Sequence, residues 1–100
     1  MYGLIGKMTA KTGKREELGA ILIAGISGMP GCLSYIVGID PKNEDVLWIT
    51  EVWETMELHA ASLSLPSVRA AITKGRPLIA GMEIVSETLP IGGQGIKSEK

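Results

Sequence analysis

The first quarter of the chain alternates short apolar runs with glycine and then changes to a helical spacing. Apolar residues separated by Gly3 and Gly6 predict a strand over residues 1–10, in which the glycines indicate close approach of another backbone. After Thr12, a residue type that caps helices, apolar residues recur at positions 18, 21, 22, 25 and 26. This spacing predicts an amphipathic helix that ends at the Gly-Met-Pro-Gly turn of residues 28–31.

The remaining pattern completes a β-α-β-β-α-β order. Two β-branched runs, residues 32–40 and 46–54, flank turn residues and predict a hairpin. Thr55 can cap a helix over residues 56–64, Pro66 can start a helical segment to about residue 74, and residues 82–89 predict a last strand after a connector over 77–81. This order is typical of the ferredoxin-like α+β fold, an antiparallel sheet with both helical segments on one face. We expect one such domain over residues 1–90 and a flexible glycine-rich tail over 91–100.

The hairpin predicts a sheet that is apolar on both faces. Pairing Asp40 with Val46 gives one face the residues Leu33, Tyr35, Val37, Ile39, Leu47, Ile49, Glu51 and Trp53. The other face carries Ile36 and Trp48, with Trp48 opposite Gly38. Neither face is polar enough for a sheet with one solvated side. A chain of 100 residues with 45% hydrophobic content also forms too small a core to bury both faces. We therefore expect a homodimer in which a second copy covers the face of Trp48.

Composition removes several classes of function. Ten Lys and Arg against 11 Asp and Glu give a net charge of −1, so nothing favours nucleic acid or an anionic membrane surface. The longest apolar stretch, residues 20–26, is far short of the roughly 20 residues that span a membrane, and Lys7 and Lys11 interrupt any signal peptide. One cysteine, Cys32, and one histidine, His59, make a protein-only zinc site unexpected. We expect a cytoplasmic protein without a metal or other cofactor.

A loose basic group surrounds the start of the first predicted helix and consists of Lys7, Lys11, Lys14 and Arg15. These cations lie against the favourable direction of the helix dipole, so they could attract an anion. A solvated surface is the ordinary explanation for them.

Candidate chemistry gathers on the predicted inner face of the hairpin. Glu51 pairs with Tyr35, and Trp53 follows two residues later on the same side. A carboxylate, a phenol and an indole beside one cavity could hold and deprotonate an aromatic hydroxyl, whereas a Glu51 near the strand end could simply reach water and bond Tyr35. His59 borders the apolar stripe of the second helix, where it is either an acid–base group or an inert surface residue. Arg76 follows that helical region and can reach a pocket mouth.

Residues 48–54 (Trp-Ile-Thr-Glu-Val-Trp-Glu) are followed by Glu57, His59 and Pro66-Ser-Val68, and residues 30–35 (Pro-Gly-Cys-Leu-Ser-Tyr) precede them. Over about residues 1–90 the chain resembles the antibiotic biosynthesis monooxygenase family, in its small quinol-monooxygenase-like branch. The resemblance implies a dimeric α+β barrel of two ferredoxin-like protomers joined sheet to sheet, each with a pocket between sheet and helices. Characterised members oxidise anthrone- or quinol-type polyphenols with O₂ and without flavin, haem or metal, because the deprotonated substrate supplies the electrons.

The resemblance also assigns positions. Trp53 matches a pocket tryptophan of the polyketide-oxidising members, His59 falls roughly where they have a helix tyrosine, and Ile49 stands where they have a strand asparagine. The asparagine, tryptophan and ligating histidine of haem-degrading relatives align here with Gly6, Ser62 and Ile72, so haem degradation is not expected.

Two functions remain open from the sequence. The first is a cofactor-independent monooxygenase acting on a small aromatic substrate, with His59 or Glu51 as the base. Its substrate-binding residues are Trp53, Tyr35, Ile49 and Arg76. The alternative is a non-catalytic dimeric barrel that binds a small apolar ligand, as a stress-response protein would, and the replacement of the asparagine by Ile49 gives it weight.

Overall fold

The computed structural model describes residues 1–96, which form four strands and three α-helices. In chain order these are β1 (Tyr2–Ala10), α1 (Arg15–Gly25), β2 (Cys32–Ile39), β3 (Val46–Trp53), α2 (Met56–Ser62), α3 (Pro66–Gly75) and β4 (Ile79–Thr88), with one 3₁₀ turn, Arg76–Leu78, before β4. The strands pair antiparallel in the order β2-β3-β1-β4. The predicted ferredoxin-like α+β fold is confirmed. Part of the predicted tail, residues 97–100, lies outside the described residues, and the mobility of residues 91–100 stays a prediction.

The hairpin has the predicted register. The Asp40 amide donates to the Val46 carbonyl (3.0 Å), and Gly38 lies opposite Trp48. Tyr35 lies opposite Glu51, which puts both side chains on the face toward the helices. A bulge near Cys32 shifts the register only at the far end of β2.

Two local predictions were wrong. Thr12 does not cap α1: residues 11–14 form a turn with a positive φ (77°) at Gly13, and Lys14 occupies the N-cap without a side-chain hydrogen bond. The connector is also shorter than predicted, because Ile79 already pairs with Ala10 and starts β4. At α2 the predicted cap is confirmed, since Thr55 Oγ1 accepts a hydrogen bond from the Leu58 amide (3.1 Å).

The basic group at α1 has a structural role through Arg15. Its Nη1 donates to the carbonyl oxygens of Asp40 (3.2 Å) and Asn43 (2.9 Å), which ties the hairpin loop to the start of α1. The Asp40 carboxylate in turn accepts hydrogen bonds from Trp48 Nε1 (2.8 Å) and from the amides of Lys42 and Asn43. The hairpin loop is therefore anchored on both sides.

The core lies between the sheet and α1, and the helices leave β4 uncovered. Buried apolar side chains from β1, α1 and β3 form its centre: Met8, Ala10, Leu18, Leu47 and Ile49. The helix-to-sheet packing falls mainly on β1, β2 and β3. On β4, Met82 is 67% exposed and Ile84 54% exposed. The inner face of this edge strand is open, and a cavity between sheet and helices reaches it.

Two glycines of α1 give a matched test of helix packing. A Cβ at Gly25 would lie 2.6 Å from the Cβ of Ala71 on α3, whereas a Cβ at Gly19 would meet only Leu47 Cδ2 at 3.7 Å. We expect Gly25→Ala to lower the free energy of unfolding by about 1–3 kcal/mol through overpacking. Gly19→Ala should raise it by up to about 1 kcal/mol, because alanine favours a helix interior. Urea unfolding of both variants checks this pair, and equal effects would contradict the close contact between α1 and α3.

The anchored carboxylate predicts a pH dependence of stability. The hydrogen bonds from Trp48 and from the two loop amides lower the pKa of Asp40 from 3.8 to about 2. A group whose pKa is lower in the folded state stabilises the fold above its unfolded pKa and loses this contribution as the pH falls through its folded pKa. Asp40→Asn should therefore lose less stability than the wild type between about pH 4 and pH 2 in urea unfolding. Asp45→Asn, in the same loop, is the control, and an unchanged acid response in Asp40→Asn would exclude this role.

Candidate active site

A cavity of about 430 Å³ lies between the inner face of the sheet and the three helices. Its walls are mainly leucine, isoleucine, methionine and valine side chains from β1, β4, α1 and α3 and from the residues that follow α1 and α2. The polar side chains in the lining are Tyr35, Glu51, Trp53, His59, Ser62 and Arg76. The site is therefore an apolar chamber with a few polar groups, which is the composition typical of small-molecule pockets.

Glu51 is the carboxylate of this chamber, and Trp53 holds it. Trp53 Nε1 donates a hydrogen bond to Glu51 Oε1 (2.9 Å). Trp53 is 1% exposed and the Glu51 side chain 14% exposed, so the carboxylate faces the chamber instead of escaping to water. Among residues 1–96 the side-chain donor to Glu51 is Trp53 and not Tyr35, which differs from the partner that the hairpin register alone indicated. Residues two apart on one strand share a face, and this brings the indole N–H to the carboxylate.

His59 faces the same carboxylate oxygen. From α2 its Nε2 lies 3.7 Å from Glu51 Oε1, and its side chain is 22% exposed. Its ring meets Trp53 in an edge-on contact, with 5.4 Å between centroids and 69° between planes. The hydroxyl of buried Ser62 donates to the His59 carbonyl oxygen (2.6 Å), which fixes the helix turn behind the imidazole. His59 is thus directed into the site and is not a free surface residue.

Tyr35 supplies a neutral phenol to the chamber. Burial, followed by the nearby charges of Glu51 and Cys32, raises the pKa of Tyr35 well above its ordinary value. Its hydroxyl therefore stays protonated near neutral pH and can donate a hydrogen bond to an anion.

The other predicted positions divide between the chamber and the core. Arg76, at the end of α3, lines the chamber and is exposed, which places its guanidinium at the rim. Ile49 is not among the residues of the described chain, 1–96, that line the chamber, and its role in substrate binding stays a prediction. It is buried in the core cluster, because α1 covers the part of β3 from Leu47 to Ile49.

Sequence reasoning missed several lining residues. Met8 and Met82, which face each other on β1 and β4, and Met29 after α1 all line the chamber. The alternation of side chains along β1 is a signal that could have placed Met8 on the inner face, but only the strand order brings Met82 beside it. Ser62 could not be recognised because its role depends on how α2 lies on the sheet.

Across the described part of the chain, residues 1–96, the structure shows neither a metal-binding cluster nor a thiol in the chamber lining. Within residues 1–96 no group of three or more His, Cys, Asp or Glu side chains is placed to hold a metal ion. Desolvation raises the pKa of the Cys32 thiol, and Cys32 is not among the chamber residues. In the same range no helix is both long and apolar enough to cross a membrane.

The sequence and fold match known proteins. The sequence profile described as antibiotic biosynthesis monooxygenase matches residues 1–74. The chain belongs to the antibiotic biosynthesis monooxygenase family. A search of curated proteins found no match.

Solved structures agree with this family. A crystal structure provisionally named as a family member from Chloroflexus aurantiacus is 60% identical, covers 96% of this chain and 98% of its own, and has a TM-score of 0.89. A Deinococcus radiodurans structure with the same provisional name is 25% identical, covers 98% and 100%, and has a TM-score of 0.76. One from Nitrosomonas europaea, 16% identical with coverage of 92% and 100% and a TM-score of 0.81, shows the fold alone. Family and neighbours support a monooxygenase-like role.

The two tryptophans allow a direct test of where ligands bind. Trp53 lines the chamber, whereas Trp48 lies on the opposite face of the sheet. A dihydroxyanthraquinone, which is planar and already oxidised, should quench Trp53 emission saturably. The quench should persist in Trp48→Phe and be lost in Trp53→Phe, with weaker binding because indole offers a larger stacking face and a donor. Loss of the response only in Trp48→Phe would place the ligand on the other face.

Proposed function

We propose that this protein is a cofactor-independent monooxygenase that oxidises a small quinol- or anthrone-type hydroxylated aromatic with O₂. The observation that carries the proposal is the Glu51–His59 pair, fixed by Trp53, at the wall of an otherwise apolar chamber of about 430 Å³. Such a chamber suits a planar apolar molecule, and the pair offers a proton acceptor at one place in its wall.

The first step of the proposed reaction is removal of a proton from the bound hydroxyl. His59 takes the proton, and Glu51, 3.7 Å from Nε2, stabilises the imidazolium that forms. Trp53 keeps the carboxylate in place through its 2.9 Å hydrogen bond. The neutral phenol of Tyr35 can donate to the oxyanion of the substrate, and Arg76 at the rim adds a positive charge.

The oxidation then balances without an external reductant. Conversion of a ring methylene of an anthrone to a carbonyl is a four-electron oxidation, and O₂ accepts all four electrons. One oxygen atom enters the substrate as the carbonyl oxygen and the other leaves as water with the two hydrogens of the methylene. The deprotonated substrate is the electron donor, so the residues described above need only bind, orient and move a proton.

Two substitutions at the site test the proton step. His59→Ala should lower O₂-dependent turnover of an anthrone or quinol by roughly 10²-fold or more, the scale expected for loss of a general base. Glu51→Gln keeps the shape and removes the charge that stabilises the imidazolium, so it should also lower turnover. An oxygen electrode measures both, and Glu57→Gln, an acidic residue of the first turn of α2, is the control.

The outcomes separate the two functions left open by the sequence. Full activity in both His59→Ala and Glu51→Gln would show that neither residue is the base. Saturable binding without oxygen uptake across many quinols would favour a non-catalytic ligand-binding barrel.

We further propose that the protein is a homodimer joined through the outer face of the sheet. Ile36 is 60% exposed on this face, and the Trp48 ring lies there with Lys7 Nζ 5.8 Å from its centroid. Ile5 and Val52 are partly exposed on the same side of the central strands. A second copy would bury these side chains, as expected for a short chain with an apolar sheet.

Light scattering tests the assembly. At micromolar concentration we expect about twice the chain mass of 10.6 kDa. Trp48→Lys should weaken association, because the interface would bury an unpaired charge. Met56→Lys, on the helix side, should leave the mass unchanged, and a monomeric wild type would contradict the proposal.

A further inference from the structure

The imidazole of His59 contacts two aromatic rings. Tyr2 on β1 and Trp53 on β3 are register partners, so their side chains lie side by side on the inner face of the sheet. The His59 side chain extends from α2 toward both rings. Its ring centroid lies 5.7 Å from that of Tyr2 and 5.4 Å from that of Trp53. Tyr2 is therefore a second aromatic contact of the candidate base, next to Trp53.

Tyr2 belongs to the wall of the site and not to its interior. It does not line the chamber, but it lines a separate surface groove of about 440 Å³ together with Glu54, Glu57 and Glu87. Its hydroxyl donates to Glu87 Oε2 on β4 (2.5 Å). This hydrogen bond, followed by desolvation, raises the pKa of Tyr2, so the phenol remains the neutral donor. This hydrogen bond therefore connects the Tyr2 ring to β4, the edge strand.

Something other than Glu51 must set the orientation of the imidazole. The separation of 3.7 Å between Nε2 and the carboxylate is longer than a hydrogen bond, and a histidine side chain on a helix surface rotates about two bonds. Trp53 makes one ring contact with the imidazole, and Tyr2 makes a second. The Tyr2 ring limits rotation of the imidazole, and the hydrogen bond to Glu87 holds Tyr2 in place.

We infer that Tyr2, held by Glu87, is a positioning residue that keeps His59 directed at Glu51. Its effect on catalysis rests on the proposed function, whereas its effect on the imidazole does not. Two residues outside the chamber, Tyr2 on β1 and Glu87 on β4, thereby join the group that determines activity.

The orientation can be measured without any substrate. His59 is the only histidine, so its ring gives a single set of nuclear magnetic resonance signals. In mildly alkaline solution, long-range ¹H–¹⁵N correlation should show the Nε2–H tautomer in excess in the wild type, since Nε2 faces the carboxylate. Tyr2→Leu should shift the ring-proton signals toward those of a solvated histidine and reduce that excess.

The variants at Glu87 distinguish the effect of the hydrogen bond to Tyr2 from the effect of the Tyr2 ring itself. Glu87→Gln keeps an acceptor for the Tyr2 hydroxyl and should stay close to the wild type, whereas Glu87→Ala should move the His59 signals in the same direction as Tyr2→Leu. Tyr2→Phe keeps the ring but loses the hydrogen bond to Glu87, so its His59 signals should lie between those of the wild type and those of Tyr2→Leu. Glu57→Gln, in the same groove, should change nothing. If Tyr2→Leu does not fold, Glu87→Ala on the exposed edge strand still decides the question.

Turnover gives the second measurement. Tyr2→Leu should lower kcat about tenfold through misplacement of the base. The KM should change less than about twofold, because Tyr2 does not touch the chamber. Unchanged His59 signals in both Tyr2→Leu and Glu87→Ala would overturn the inference even if the wild type is active. A wild type without oxygen uptake would overturn the proposed function alone, since the resonance measurement does not depend on it.

Discussion

The hydrogen bond from Trp53 to Glu51 is the interaction on which the site depends. A carboxylate in an apolar wall is costly unless its oxygens have partners, and here one oxygen accepts the indole N–H and faces the imidazole of His59. Trp53 is itself buried, so its donor would lack a partner if the carboxylate turned to water. Each group thus constrains the other, and the charge remains directed at the chamber.

The coverage of the sheet explains why a chamber exists. The helices pack mainly on β1, β2 and β3, while β4 at the edge keeps Met82 and Ile84 exposed toward the same side. Helices α1 and α3 approach closely at Gly25 and Ala71, and α2 contacts β3, whose end carries Trp53. The apolar walls continue from the core to the open strand, which gives a ligand a path to Glu51.

The sequence predicted what depends on neighbours along the chain. The turn residues after Asp40 and the alternation on both sides fixed the hairpin register, and this register alone placed Tyr35, Glu51 and Trp53 on one face. Contacts between segments that are distant in the sequence could not be predicted. Tyr2 lies next to Trp53 only because β1 lies beside β3. Ile49 lies in the core and not in the chamber lining, because α1 covers its part of β3. Thr12 was misjudged as a cap because the turn at Gly13 moves the helix start to Arg15.

The proposed reaction requires the Glu51–His59 pair to accept a proton from a bound aromatic hydroxyl. The absorption spectrum of a bound hydroxyaromatic under exclusion of oxygen tests it most directly, because phenol and phenolate absorb at different wavelengths and no turnover is needed. At a pH where the free compound is protonated, the wild type should bind it as the phenolate, and His59→Ala should bind it as the phenol. A compound that stays fully protonated in the wild-type chamber would contradict this proton transfer.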